Sequence, residues 1–404
     1  MSNERKVQVE STFMIKYLDN VEQMNRSTAT EYKKRLASFS DFVFRKYGYS
    51  IDHLINELMK NDKSLNVYEV LSSYVAFLND YGTLSSQTIN YRLTTAMNFL
   101  EFNDVSISPR VYKHKVRRPK VIKRVKEALE KKTIVEILNA CSDIRLRTYV
   151  MLLASTGMRP SEALSTSISD YDFESNPPKL HLRGEYTKTK TDRIIFLTQE
   201  IVSQLHNWLQ FKYRERRVSY YDKNSRNFVS KRRTPAKSNS DLIFAVRNYK
   251  KHRKTSCTSM YSEMAFSFSK NLDRMGLGER EKTNSSIDKG IRRKITLHSF
   301  RRFVKSTVSD LGHYDFSEYF IGHSGSTYYR KTEKQKIEIF RKVEPYLTFL
   351  DYEELERKGA DIATQLEEKD RMIQNMMRKQ EQFEQLIQSL IDSGQLKPTI
   401  SNTA

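Results

Sequence analysis

The densest grouping of residues able to do chemistry lies between Leu297 and Arg330, LHSFRRFVKSTVSDLGHYDFSEYFIGHSGSTYYR. His298 and Arg301 stand three apart, a spacing that puts both on one face of a helix. Phe300, Val304, Val308 and Leu311 recur at helical spacing, with Gly312 placed where that helix would stop. A second histidine, His323, follows between Gly322 and Ser324, and then come Tyr328, Tyr329 and Arg330. Guanidinium and imidazole groups beside a phenolic hydroxyl suit a phosphodiester: the cationic forks hold phosphoryl oxygens and the hydroxyl supplies a nucleophile.

The remainder of such a site must come from earlier in the chain. In STGMRPSEAL, Gly157 supplies a tight turn and Pro160 fits the first turn of the next helix, so Arg159 falls at or just before that helix's N-terminus. Backbone N–H groups there make a natural place for a phosphate oxygen. Lys179 to Arg183 and Arg193 to Leu197 read as short alternating strands. The polar turn between them, GEYTKTKTD, carries Lys188 and Lys190.

The elements that must position these residues read as mainly α, with a small antiparallel β-sheet. At 404 residues the chain is long enough for two or three domains. From about Ser11 to Asp104 helical patterns dominate, including Ser27 to Tyr47, Val67 to Tyr81 and Ser85 to Phe102, which predicts a compact four-helix domain over residues 1–108. Residues 109–132 hold eleven Lys or Arg against two Glu and two prolines, and read as a basic interdomain linker. A second domain spans 133–350, opening with apolar helices at Ile134 to Cys141 and Leu146 to Ser155 and closing with an amphipathic one from Ile337 to Leu350. Within it, residues 212–254 carry fifteen Lys or Arg against three acids with interleaved tyrosines, and are expected to form a poorly ordered basic insertion suited to phosphate contacts and stacking. Residues 351–396 fit a heptad frame from Leu355 to Leu390, in which eight of eleven a and d positions are apolar, so a coiled-coil helix is expected there. Residues 397–404 are a tail.

Charge and composition narrow the partners. Lys plus Arg number 70 against 49 Asp plus Glu, a formal +21, which favours a polyanion and nucleic acid before membrane. Two cysteines make neither a disulfide framework nor a metal cluster, so a reducing interior is the expected setting. No apolar run approaches the ~20 residues a membrane span needs, and the charged N-terminus is not signal-like. A soluble, cytoplasmic protein associated with DNA is expected.

The order Arg159, Lys188, His298-x-x-Arg301, Gly322-His323 and then tyrosine resembles the tyrosine recombinases, the integrase family of site-specific DNA strand exchangers, in their archaeal or archaeal-virus form. The resemblance covers Thr133 to Leu350 through several motifs in the correct order. More loosely it reaches the N-terminal helices, which look like the family's SAM-like core-binding domain. It implies a catalytic set of Arg159, Lys188, His298, Arg301, His323 and Tyr328, acting on double-stranded DNA as a homo-oligomer with neither metal nor other cofactor. Glu162 would be a supporting acid. Tyr328 is preferred to Tyr329 because Arg330 follows it by two, Lys188 to Lys190 by its distance from the strand RIIFL, and Arg301 to Arg302 by the His-x-x-Arg spacing. A type IB topoisomerase and a catalytically decayed DNA-binding protein are the alternatives.

Overall fold

The structure, a computed structural model, describes residues 11–60, 65–80, 84–121, 128–222, 226–246, 257–281, 292–323 and 329–350, with scattered positions between 369 and 385. It divides into two compact units, one of residues 1–127 with 279–294, the other of 128–278 with 295–404.

Helices α1 (Thr12–Met24), α2 (Arg26–Tyr47), α3 (Ile51–Met59), α4 (Val67–Asp80), α5 (Ser86–Phe102) and α6 (Pro109–Lys115) form the first unit. Their boundaries follow from local chemistry. The Ser11, Asn25, Ser50 and Ser85 side chains accept from the backbone N–H groups of Met14, Thr28, His53 and Thr88, satisfying donors that a helix start leaves free. Gly48 ends α2 at φ +77°, the left-handed region that glycine occupies without penalty. The apolar stripes of these helices meet in one core, where Phe39 and Phe42 pack on Tyr74 at centroid distances of 4.9 and 5.1 Å. Periodicity predicts four helices here; α3 and α6 are too short to declare themselves. The basic stretch after Ser108 begins as helix α6, with Tyr112 and Val116 buried in the same core.

The second unit contains α7 (Lys131–Ala140), α8 (Ile144–Thr156), α9 (Pro160–Ser165), β1 (Tyr171–Asp172), β2 (Lys179–Leu182), β3 (Arg193–Phe196), α10 (Gln199–Tyr213), β4 (Arg216–Asp222), β5 (Asn227–Arg233) and α11 (Cys257–Arg274). A short hairpin, β6 (Arg280–Glu281) with β7 (Arg292–Arg293), clusters with the first unit, and α12 (Leu297–Asp310), α13 (Tyr314–Ile321) and α14 (Glu333–Val343) complete the second. Strands β1, β2 and β3 make an antiparallel sheet in that order, with Leu180 opposite Ile195 and Leu182 opposite Arg193. Helix α8 is buried along nearly its whole length, with Tyr149, Val150, Met151, Leu152, Leu153 and Ala154 at 0% exposure, so it is the central post of the core. Beside it Cys141 is buried at the C-cap of α7, where it accepts from Asn271 Nδ2 at 3.3 Å and burial pushes its thiol pKa up to about 11.

The basic insertion departs from the expected poorly ordered loop. Among the described residues it begins as the β4–β5 hairpin, in which Val218, Tyr220, Tyr221, Phe228 and Val229 supply strand propensity inside the charge run. The chain then returns to the core. Ile243 and Phe244 are fully buried, and their carbonyls accept from Trp208 Nε1 at 2.9 Å and Arg145 Nε at 2.8 Å. The predicted Ile337–Leu350 helix starts earlier, at Glu333, where Thr332 and Gln335 make a reciprocal cap, and it ends at Val343 in a short 3-10 turn. Most of the coiled-coil frame, Leu355 to Leu390, lies outside the described residues. Among the described residues no helix is long and apolar enough to cross a membrane.

Candidate functional site

Three elements converge at the C-terminal end of α8. Gly157 stops that helix at φ +64°, and Arg159 then serves as the N-cap of α9 with Pro160 at its first position, as the spacing predicts. Glu162, at the third helical position, turns back so that Oε2 accepts from the Arg159 backbone N–H at 3.0 Å. Its other oxygen accepts from Arg159 Nη1 at 2.7 Å. The remaining fork nitrogen of Arg159, Nη2, donates to the Gly322 carbonyl at 3.2 Å, which ties α9 to the turn after α13.

Helix α12 supplies the second guanidinium. Arg301 is 9% exposed, and its Nη1 donates to the Gly157 carbonyl at 3.0 Å and to the Ile321 carbonyl. Its Nη2 is buried without a hydrogen-bond partner. Desolvation, then the charge of Arg159, draws its pKa down to about 10, which leaves it cationic near neutrality. Arg302 points elsewhere, donating to Ser299 Oγ at 2.9 Å. His298 lies on the same helix, open to solvent. Partial desolvation and then the charges of Arg301, Arg159 and Arg302 hold its pKa below the ordinary 6.5, so the imidazole is neutral at neutral pH.

His323 follows the left-handed Gly322 (φ +72°), and its Nδ1 sits 2.5 Å from Glu318 Oε2. Glu318 Oε1 in turn meets Lys305 Nζ at 2.5 Å. Burial alone would raise the Glu318 pKa, but the Lys305 hydrogen bond and the His323 charge outweigh it and hold the carboxyl low. A carboxylate on Nδ1 fixes the tautomer and leaves Nε2 as the free ring nitrogen.

The structure therefore brings Arg159, His298, Arg301 and the Gly322–His323 turn together. Lys188 is exposed on the turn between β2 and β3. That turn is closed by Thr187, whose hydroxyl bonds the Gly184 and Thr191 carbonyls, and by Asp192, which accepts from the Gly184 N–H. Lys190 occupies φ +54° in it. Tyr328 lies outside the described residues. Tyr329 is half-buried, its ring stacked 5.3 Å from Tyr319, and its hydroxyl is buried with no hydrogen-bond partner. Burial, then Asp315 and Tyr319, pushes that phenol up to about 12.

Two participants have no motif in the sequence reading. Glu318 meets a histidine five residues on, a spacing no periodicity flags. Arg193 was detectable: it opens a strand on the same side as Ile195, where an inward charge demands a partner, and the partner is Glu162, 2.7 Å from Nη2. Burial alone would raise the Glu162 pKa, but the charge of Arg193 and the hydrogen bonds from both arginines hold it below the usual range. Beside this cluster a cavity of about 250 Å³ is lined by Thr189, Thr191, Asp192, Arg193, Tyr319, Gly322 and Tyr329. Among the described residues no cluster of His, Cys, Asp or Glu could hold a metal ion.

The fold is similar to that of solved integrase structures. A lambda integrase (75-356) dimer bound to a COC' core site superimposes with a TM-score of 0.51 at 12% identity, over 80% of this chain and 98% of that one. A lambda integrase tetramer bound to a Holliday junction gives the same score, over 82% and 86%.

Residues 127–324 match the phage integrase family, and this stretch of the chain is a tyrosine recombinase domain. Tyrosine recombinase XerA of Saccharolobus solfataricus is 32% identical over 130 residues, which are 32% of this chain and 41% of the relative. Transposase A from transposon Tn554 of Staphylococcus aureus is 23% identical over 229 residues, 50% of this chain and 63% of the relative. The chain thus spans less than two thirds of the length of these curated relatives.

Proposed function

We propose that this protein is a site-specific recombinase that cuts and rejoins double-stranded DNA through a covalent 3′-phosphotyrosine, integrating or excising a mobile or viral genome. The observation that carries the reading is the convergence of Arg159 and Arg301, two guanidiniums anchored to the Gly322, Gly157 and Ile321 carbonyls, around neutral His298. Forks held in this way can stabilise charge developing on two phosphoryl oxygens without rearranging. Tyr328 Oη attacks phosphorus and gives its proton to His298, the P–O5′ bond breaks, and Lys188 protonates the departing O5′. His323, its Nδ1–H held by Glu318, donates from Nε2 to a phosphoryl oxygen once the ring carries its second proton. The bond energy stays in the phosphotyrosine, and attack by a different 5′-hydroxyl completes strand exchange.

Tyr328 is favoured over Tyr329, whose ring is packed on Tyr319 and whose hydroxyl burial makes ionisation harder. The exposed face of the β4–β5 hairpin, with Arg217 opposite Arg232 and Tyr221 opposite Phe228, fits contacts to phosphate and base. The DNA-bound dimer and tetramer among the structural relatives, and the archaeal relative, support a homo-oligomer acting on DNA in a prokaryotic setting. Trapping on a nicked suicide substrate tests the reading, with wild type, Tyr328→Phe and Tyr329→Phe compared on a denaturing gel. An adduct lost only in Tyr328→Phe is the expected result. No adduct from wild type on DNA that it binds would leave a DNA-binding protein in place of the enzyme.

A further inference from the structure

We propose that Arg193 is a positioning residue of this site, setting Arg159 through Glu162 and the Gly322–His323 turn by direct packing; the proposal rests on the recombinase reading. The Arg193 side chain is 4% exposed and joins Glu162 Oε2 through Nη2 at 2.7 Å. The other Glu162 oxygen holds Arg159 Nη1 at 2.7 Å, and Arg159 Nη2 reaches the Gly322 carbonyl at 3.2 Å. The ring closes through space, because the Arg193 guanidinium fills the place a Cβ on Gly322 would take, against Nη1 and 2.6 Å from Cζ.

A structural filler at this point would not be an arginine. Nε and Nη1 of Arg193 are both buried with no hydrogen-bond partner, an arrangement that costs stability and that an apolar side chain of similar size would avoid. What an apolar side chain cannot do is share the carboxylate. With Arg193 present, Glu162 divides its charge between two guanidiniums, and Arg159 keeps part of its positive field for a phosphate. Without Arg193, Glu162 belongs to Arg159 alone, that field is cancelled, and the Gly322 turn loses the plane it rests on.

The test is single-turnover cleavage of a nicked suicide substrate by the full chain at saturating protein, with the half-saturating concentration for the same DNA measured separately. Arg193→Met is expected to cleave on the order of 100-fold more slowly while half-saturation stays within about threefold, because misplacement of an anchored fork costs rate rather than affinity. Arg193→Lys is expected to recover part of the rate, since its ammonium restores charge to Glu162 but not a plane against Gly322. The double variant of Arg193→Met with Glu162→Gln is expected to lose clearly less than the product of the two single losses, because part of each acts through the same carboxylate. Wild-type rate in both Arg193 variants, or losses that multiply in the double, overturns the proposal. Where near-ultraviolet dichroism shows Arg193→Met unfolded, Arg193→Lys decides by itself: slowed cleavage at unchanged half-saturation supports the proposal and wild-type rate overturns it. Failure of wild type to form any adduct is a separate result, which removes the recombinase reading and the proposal with it.

Discussion

Substituting Gly157 by alanine probes the junction on which both arginines depend. Gly157 ends α8 at φ +64°, and an alanine in that left-handed region costs roughly 1–2 kcal/mol. The added methyl would stand 2.9 Å from Ile321 Cγ2 and 3.1 Å from Val304 Cβ and Cγ1. Both neighbours are β-branched and fully or almost fully buried, so neither can rotate aside, and overpacking of this kind costs about 1–3 kcal/mol. The two effects share the same atoms, and together they set the loss at roughly 2–5 kcal/mol, a large part of the stability of an ordinary domain. Urea unfolding followed by tryptophan fluorescence measures it, because the single Trp208 reports on the second unit. With a slope of about 2–3 kcal/mol/M the midpoint should fall by roughly 1–2 M. The same methyl displaces the carbonyl that accepts from Arg301 Nη1, so cleavage per folded molecule should fall as well. A loss below about 1 kcal/mol at an unchanged slope would refute the packing argument, since it lies under the backbone cost alone.

Two further expectations follow from the electrostatics. If His298 takes the tyrosine proton, cleavage falls as the imidazole protonates; because its pKa lies below the ordinary 6.5, the acid limb of a single-turnover pH profile should fall below that value and vanish in His298→Gln. A limb centred at or above 6.5 speaks against His298 as the base. Glu318→Gln removes the carboxylate that holds His323 Nδ1 and Lys305, and should slow cleavage by about 10- to 100-fold, the worth of one hydrogen bond to a charged group, with DNA affinity nearly intact. Nitrogen chemical shifts of His323 in the variant would show a mixed tautomer; a wild-type spectrum and rate would mean that Glu318 only pairs with Lys305.

Legibility in the sequence tracked how local each cause was. Arg159 as an N-cap could be read because Gly157 and Pro160 bracket it, and His298 with Arg301 because a helix repeats every three to four residues. The strands around Lys188 declared themselves by alternation. Partnerships across the fold did not. The link from Glu162 to Arg193 spans 31 residues, and the bond from Arg301 to the Gly157 carbonyl spans 144. No residue type specifies in advance which carbonyl will lie beneath which guanidinium. The β4–β5 hairpin was obscured for a different reason: charge along both strands looked like a solvated loop, and cross-strand pairing is a property of two segments read together. Strand β1 pairs through only Tyr171 and Asp172, too short a run for alternation to register.

The sheltered thiol of Cys141 gives the protein an internal clock. A thiol reagent needs the thiolate, and Cys141 is buried with its pKa raised to about 11, so it reacts only when α7 and its neighbours part. Cys257, the other cysteine of the chain, is partly exposed at the start of α11 and serves as the control for reagent access. Where opening and closing outpace labelling, the Cys141 rate relative to that of an open thiol gives the free energy of opening the core around α8. Repeated with DNA present, the labelling tests whether DNA tightens that core, without any probe being introduced.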